Sequence, residues 1–146
     1  MYSVHQIALS IVVIGMPAFS QTANFNSINP SAEELKAYTD ISNEVWAKMG
    51  RPAAPPYPTL SKISGFSGPV EILLEVDTSG KVTKANSLKS TAYHPSLAPM
   101  AISWSSTLKF PPAESTELLT RKFKIFVVFS KPGKVEIRPS LDTQFN

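Results

Sequence analysis

Apolar and polar residues alternate through the middle of the chain in the pattern of a β-hairpin. In Val70–Asp77 one face is continuously apolar, as in a strand with one buried side. The turn that follows, Asp77-Thr78-Ser79-Gly80, has glycine at a position that tolerates a positive φ. Lys81–Leu88 then returns with a weaker alternation. We therefore expect two paired strands here, and the apolar face of the first consists of Val70, Ile72, Leu74 and Val76.

A second alternating stretch predicts a third strand at Arg121–Ser130. Its apolar face consists of Phe123, Ile125, Val127 and Phe129. Lys131-Pro132-Gly133-Lys134 follows, with proline and glycine in the positions of a type II turn. If that turn folds the chain back, Val135–Ile137 would add a short fourth strand.

Two segments have the spacing of amphipathic helices, and the first covers residues 32–49. Ser31 and Glu34 are placed to form a capping box, and Gly50 supplies the left-handed position after the last turn. The apolar stripe consists of Leu35, Tyr38, Ile41, Val45, Trp46 and Met49. We expect this stripe to pack on the chain's own domain; docking onto a partner protein is the alternative.

The second helix begins after Ser96, keeps Pro99 within its first turn and ends before Pro111-Pro112. Its apolar stripe consists of Leu97, Met100, Ala101, Trp104 and Leu108. Because a small sheet needs a helix over its apolar face, both helices have a clear place. The predicted fold class is α+β, with a small antiparallel three- to four-stranded sheet packed by two helices.

The first 20 residues predict export. Ile7–Phe19 is an apolar run that is too short to cross a bilayer, which takes about 20 apolar residues. It ends at Ala18-Phe19-Ser20, which fits a signal-peptidase site, although no Lys or Arg precedes the run. We expect cleavage after Ser20 and no stable membrane anchor afterwards; an uncleaved anchor or a buried helix is the alternative. The predicted organisation is a signal peptide at 1–20, a flexible leader at 21–30, an amphipathic helix at 31–50, a Pro-rich connector at 51–58, a domain at 59–140 and a tail at 141–146.

Composition excludes several kinds of site. The 146 residues, 42% of them apolar, suffice for one hydrophobic core. The chain has no cysteine, which excludes disulfides, thiolate metal ligands and a cysteine nucleophile. The net charge of +3 is modest and the basic residues do not cluster, so we expect no nucleic-acid partner.

Few residues of the chain are candidates for catalysis or metal binding. After export the remaining histidine is His94, and no nucleophile or carboxylate lies beside it in the sequence. Glu71 and Glu75 share a strand face, but four residues of strand separate them by about 13 Å, too far for a glycosidase pair. We predict no catalytic residue, no metal site, no cofactor and no enzymatic activity. A small secreted hydrolase that uses His94 is the alternative.

Five landmarks occur in a fixed order between residues 57 and 113. They are Tyr57-Pro58, Gly65-x-x-Gly68-x-Val70, Val76–Val82, His94-Pro95-x-Leu97 and Phe110-x-Pro112-Ala113. This series resembles the C-terminal domain of the TonB/TolA energy-transducer family, and the preceding helix with its Pro-rich joint is closer to the TolA-like members. The resemblance implies a periplasmic binding domain of a Gram-negative bacterium. It does not extend to energy transduction, because Ser3 and His5 lack the spacing of the family's motor-binding motif and the spacer is short.

The resemblance also implies where a partner would bind. In TonB-like domains the edge of the third strand accepts an extended segment, and here that edge comprises Lys122, Phe123, Lys124, Ile125, Phe126, Val127, Val128 and Phe129. Whether the edge is free depends on Val135–Ile137. The basic side chains of Arg121, Lys122 and Lys124 either protect this edge or recognise an acidic partner.

We therefore expect a protein that binds envelope proteins by strand addition or helix packing, and the resemblance implies a place within a TonB/Tol-type transport or envelope-integrity system. It would be a monomer or a strand-exchanged dimer. A structural subunit of an envelope complex is the alternative.

Overall fold

A computed structural model describes residues 27–88, 96–114 and 120–146 of the chain. The predicted signal peptide, most of the predicted leader and His94 lie outside these residues. The helices and strands, in chain order, are β1 (Ser27–Ile28), α1 (Ala32–Lys36), β2 (Thr39–Asp40), α2 (Asn43–Lys48), α3 (Thr59–Ile63), β3 (Gly68–Asp77), β4 (Val82–Leu88), α4 (Leu97–Ser105), β5 (Thr120–Ser130) and β6 (Lys134–Arg138).

The described strands form one mixed sheet, and the α+β class is confirmed. The order across the sheet is β1, β4, β3, β5, with β2 and β6 both on the far side of β5. The central strands β4, β3 and β5 are antiparallel as predicted, and β6 extends them. The predicted three- to four-stranded antiparallel sheet is too small, because β1 and β2 add two parallel pairings. Strands of two residues are too short to show an alternating pattern in the sequence.

The core face of the sheet is the side that carries Val70, Ile72, Leu74 and Val76, which are completely buried. Helix α4 packs on this face through Leu97 and Ala101, each 0% exposed. The opposite side, called here the outer face, carries Glu71, Leu73 and Glu75. Because successive side chains of β3 point to opposite sides, different parts of the chain cover the two faces of the sheet.

The helix predicted at residues 32–49 is wrong as a single element. Its start is as expected, since Ser31 and Glu34 form the capping box. The chain then leaves the helix at Thr39–Asp40, which pairs with β5, and Ser42 caps a second helix by accepting from the Val45 N–H. Thr and Asp disfavour helix interiors and Ser favours the cap position, so the sequence permits this break.

The break allows the two halves of the apolar stripe to pack on opposite sides of the sheet. Tyr38 joins Leu73 and Leu88 on the outer face, whereas Ile41 and Trp46 belong to the main core. Strand β2 is the point at which the chain crosses the sheet edge. The expectation that the stripe packs on its own domain is confirmed.

Residues 51–58 lie against the domain. Pro55 is buried, and the indole Nε1 of Trp104 donates to the carbonyl of Ala53 at 2.8 Å. The Tyr57 ring meets the Phe129 ring edge-on, with centroids 5.3 Å apart. The connector thus fixes the position of α3, a helix that the apolar pattern did not predict.

The two hairpin turns differ in how well the sequence predicts them. In the β3–β4 turn, Gly80 has φ of +92° and the Asp77 carboxylate accepts from the N–H of Ser79 and of Lys81 at 3.0 Å each. In the β5–β6 turn the predicted type II geometry is wrong. The Gly133 N–H donates to Ser130 O at 3.0 Å, and the Lys131–Pro132 bond is cis.

Candidate protein-binding edge

Strand β5 supplies the residues predicted to bind a partner, and it runs through the sheet beside β3. Phe123, Ile125, Val127 and Phe129 point to the core face, in register with the buried residues of β3. Lys122, Lys124, Phe126 and Val128 lie on the outer face. Most side chains of β5 therefore pack within the domain. A partner could use only the backbone N–H and C=O groups on the edge of β5 that faces away from β3, called here the outer edge.

That backbone edge is covered by two other segments of the same chain. Strand β2 pairs in parallel with Phe123 and Lys124, and β6 pairs antiparallel with Phe126–Ser130. The sequence leaves open whether the edge of β5 is free, and in the structure it is covered. The segment Val135–Ile137 folds back and occupies the C-terminal half of the edge.

Strand β6 is held less firmly than its neighbours. None of its five residues is fully buried, whereas β3 contributes five fully buried residues to the middle of the sheet. Val135 and Ile137 pack against the core from its margin. Buried apolar area supplies most of the stabilisation of a strand. Detaching β6 from the sheet should therefore cost less free energy than detaching β3, β4 or β5.

Charges line the outer face of β6. The Glu136 carboxylate lies 2.7 Å from the Lys134 ammonium and 2.9 Å from the Arg138 guanidinium. Hydrogen bonds from Lys134 and Arg138 lower the pKa of Glu136. Charged side chains on an edge strand discourage pairing with further chains, so β6 also protects the sheet.

The chain beyond β6 is fastened at its end. The Phe145 ring stacks on the Trp46 indole with centroids 4.4 Å apart and planes 7° from parallel. The Asn146 N–H donates to Asn43 Oδ1 at 3.1 Å. The C-terminal segment of residues 134–146 is therefore a strap that runs from the edge of β5 to helix α2.

The three basic residues at the start of β5 do not form a common surface. The Arg121 guanidinium lies on the core side and donates from Nη2 to Pro111 O at 2.8 Å and to Asp77 O at 3.2 Å. Lys122 sits over the Tyr38 ring at 5.4 Å, and Lys124 pairs with Asp40 at 3.5 Å. Each cation is used within the chain, which favours edge protection over recognition of an acidic partner.

The carboxylates of β3 are likewise engaged locally. Burial raises the pKa of Glu71, and the nearby Lys124 charge lowers it by less. Glu75 accepts from the Tyr38 hydroxyl at 3.4 Å and lies 3.8 Å from the Lys84 ammonium. Within the described ranges, no group of three or more His, Cys, Asp or Glu side chains could hold a metal ion.

Sequence reasoning missed two features that bear on the site. One is β2, which covers Phe123–Lys124 and leaves no periodic signal because it has two residues. The other is α3, whose boundaries are marked in the sequence by Pro58 before it and Gly65, at φ of +72°, after it. Those start and stop signals could have identified α3 even though its apolar residues do not face the core.

Among the described helices, none is long and apolar enough to cross a membrane. Comparison of the chain with protein-family models, with curated proteins and with solved structures found no match.

Proposed function

We propose that this chain is a protein-binding module of the bacterial envelope that accepts an extended segment of a partner protein along β5. The observation that carries the proposal is the way in which the outer edge of this 11-residue strand is covered. Among the described strands, a two-residue strand and a marginally buried five-residue strand share it, and no full-length strand does. The strap of residues 134–146 would act as a resident strand that the partner replaces.

Replacement is energetically reasonable because the exchange is nearly balanced. A partner strand would remake the backbone hydrogen bonds that β6 gives up. It would also need apolar side chains opposite Val127 and Phe129, where Ile137 and Val135 now pack. We therefore infer a partner segment with apolar residues at alternate positions.

Two features of the sequence support the proposed cellular setting. The apolar run with its Ala18-Phe19-Ser20 ending favours export, and the ordered landmarks from Tyr57 to Ala113 favour a TonB/TolA-like periplasmic domain. We propose the periplasm of a Gram-negative bacterium as the location, and a TonB/Tol-type transport or envelope-integrity system as the context.

Removing the strap should expose the edge and make it bind a strand supplied from outside. We expect a chain ending at Ser130 to bind a fluorescent peptide of residues 131–146 saturably, as measured by anisotropy. Binding to the intact chain should be at least about tenfold weaker, because the tethered strand competes at an effective concentration on the order of millimolar. Some of the truncated chain should also form a dimer by strand exchange, which the peptide dissociates.

A peptide of the same composition in scrambled order is the matched control, since it keeps the charge and loses the alternation. Near-ultraviolet circular dichroism of the truncated chain shows whether the core is intact. A folded, monomeric truncated chain that binds neither peptide, or binds both equally, would contradict strand replacement.

A further inference from the structure

Helix α3 presents two apolar side chains to solvent. Leu60 and Ile63 are each 78% exposed, and their spacing of three residues places them on the same side of the helix. Phe66, just beyond the helix, is 41% exposed. Single exposed apolar residues are common on protein surfaces, but a nearly bare pair on one helical face suggests an interaction site.

The fold holds this pair outward. On the opposite side of α3, Ser61 is 1% exposed and its hydroxyl contacts the hydroxyl of Ser96. The Tyr57 hydroxyl donates to the carbonyl of Phe66. Because these two contacts hold the inner side of α3 against the domain, Leu60 and Ile63 cannot turn inward without a change in the backbone.

Two cations lie near Ile63: Lys62 lines one shallow surface groove together with Ile63, and Lys131 approaches Gly65. The side chain of Lys62 runs over Gly133, with its Cε 2.6 Å from where a Cβ on that glycine would lie. The Lys131 ammonium is similarly 3.5 Å from the Cβ position of Gly65. In the part of the chain that the structure describes, neither lysine has a carboxylate within ion-pair distance.

The surrounding sequence contains no opposing charge. There is no Asp or Glu between Arg51 and Val70, and none between Phe129 and Val135. The next cation along, Lys134, is already paired with Glu136 at 2.7 Å. The α3 patch is defined as Leu60, Ile63, Lys62 and Lys131. It combines an apolar projection with two lysines that have no ion-pair partner among residues 27–88, 96–114 and 120–146.

We propose that the α3 patch binds the surface of a bilayer that contains anionic phospholipid. Leu60 and Ile63 would enter the boundary between headgroups and acyl chains, and the two lysines would contact the headgroups. The side chains stand out from a single helical turn and are largely bare, so they suit a soft, deformable surface. Among the described residues no carboxylate lies within ion-pair distance of these lysines, which suits the negative charge of such a bilayer.

A fluorescent probe beside the patch tests this directly, because the chain has no cysteine and one introduced thiol can be labelled alone. We would label the expected mature chain, which begins at Gln21, at Thr59→Cys, one turn from Ile63, and at Thr143→Cys, an exposed threonine beyond β6. Vesicles of equal parts phosphatidylglycerol and phosphatidylcholine should shift the emission of the probe at position 59 to the blue. Pure phosphatidylcholine vesicles should leave it unchanged, and the probe at position 143 should not respond.

Substitutions then separate the two parts of the patch. Leu60→Ser with Ile63→Ser should abolish the shift at position 59, and Lys62→Gln with Lys131→Gln should weaken vesicle affinity by more than about tenfold, at about fivefold per lysine. Lys36→Gln with Lys109→Gln is the matched charge control and should have little effect.

The apolar run Ile7–Phe19 is absent from this mature form in every variant, so the shifts report on the patch alone. Equal responses at positions 59 and 143, or equal responses to both kinds of vesicle, would overturn the proposal. No response to either vesicle would also overturn it.

Discussion

Replacing Gly80 with alanine is expected to lower the free energy of unfolding by at least about 3 kcal/mol. Gly80 has φ of +92°, which strains any residue with a Cβ. The added methyl group would also lie 2.0 Å from the carbonyl oxygen of Phe110. Relief of that clash must move the segment whose Phe110 N–H donates to Gly80 O at 2.9 Å. Urea denaturation followed by tryptophan fluorescence measures the loss.

Gly50→Ala is the matched control for Gly80→Ala. Gly50 has φ of +80° but no atom within 4 Å of its Cβ position, so the substitution tests backbone strain without the clash. We expect a loss of about 1 kcal/mol. Similar losses at the two positions would show that the close approach of the β3–β4 turn to Phe110 is not a real constraint.

Replacing Trp46 with alanine is expected to cost about 4 kcal/mol of stability. Trp46 is 6% exposed in the main core, and its indole also supports the Phe145 ring at the end of the strap. The substitution therefore creates a cavity and removes the ring on which the C-terminal segment packs. Urea or thermal denaturation gives the magnitude.

Leu60→Ala is the matched control for Trp46→Ala, because Leu60 is equally apolar in character but 78% exposed. Its effect should stay within about 0.5 kcal/mol. A comparably small effect at Trp46 would instead mean that the stripe from Tyr38 to Trp46 is a free docking surface, as the alternative interpretation of the sequence holds.

The central hairpin and the third strand could be predicted because alternation over many residues has one structural explanation. Val70–Asp77 shows the period of a half-buried strand, and Gly80 marks the turn. The capping box at Ser31 and Glu34 was equally clear, since it depends on two residues at fixed spacing.

The broken helix could not be predicted from its apolar spacing. Tyr38, Ile41 and Trp46 fit one helical stripe, yet Tyr38 packs on one side of the sheet and Trp46 on the other. A pattern records that a residue is buried and not which surface buries it. The partner of Thr39–Asp40 lies more than 80 residues away in the chain, so local sequence carries little information about this strand.

The candidate binding edge could be predicted only in part from the sequence, for a similar reason. The strand that carries Lys122–Phe129 is confirmed, but its use by a partner stays a prediction. Val135–Ile137 has two apolar residues, which is compatible with a free tail or with a covering strand. Only the paired register with Phe126–Ser130 distinguishes these possibilities.

The account's central claim is that β6 can leave β5 while the rest of the sheet stays folded, and native-state hydrogen exchange of the intact chain tests it most directly. We predict that the β6 amides exchange by local opening at least about a hundredfold faster than those of β3. A disulfide between Val128→Cys and Glu136→Cys, which lie opposite each other, should remove most of this difference, whereas one between Glu75→Cys and Lys84→Cys should not. If the β6 amides of the unlinked chain are as protected as those of β3, the strap opens only when the whole protein unfolds, and the edge of β5 is not available to a partner.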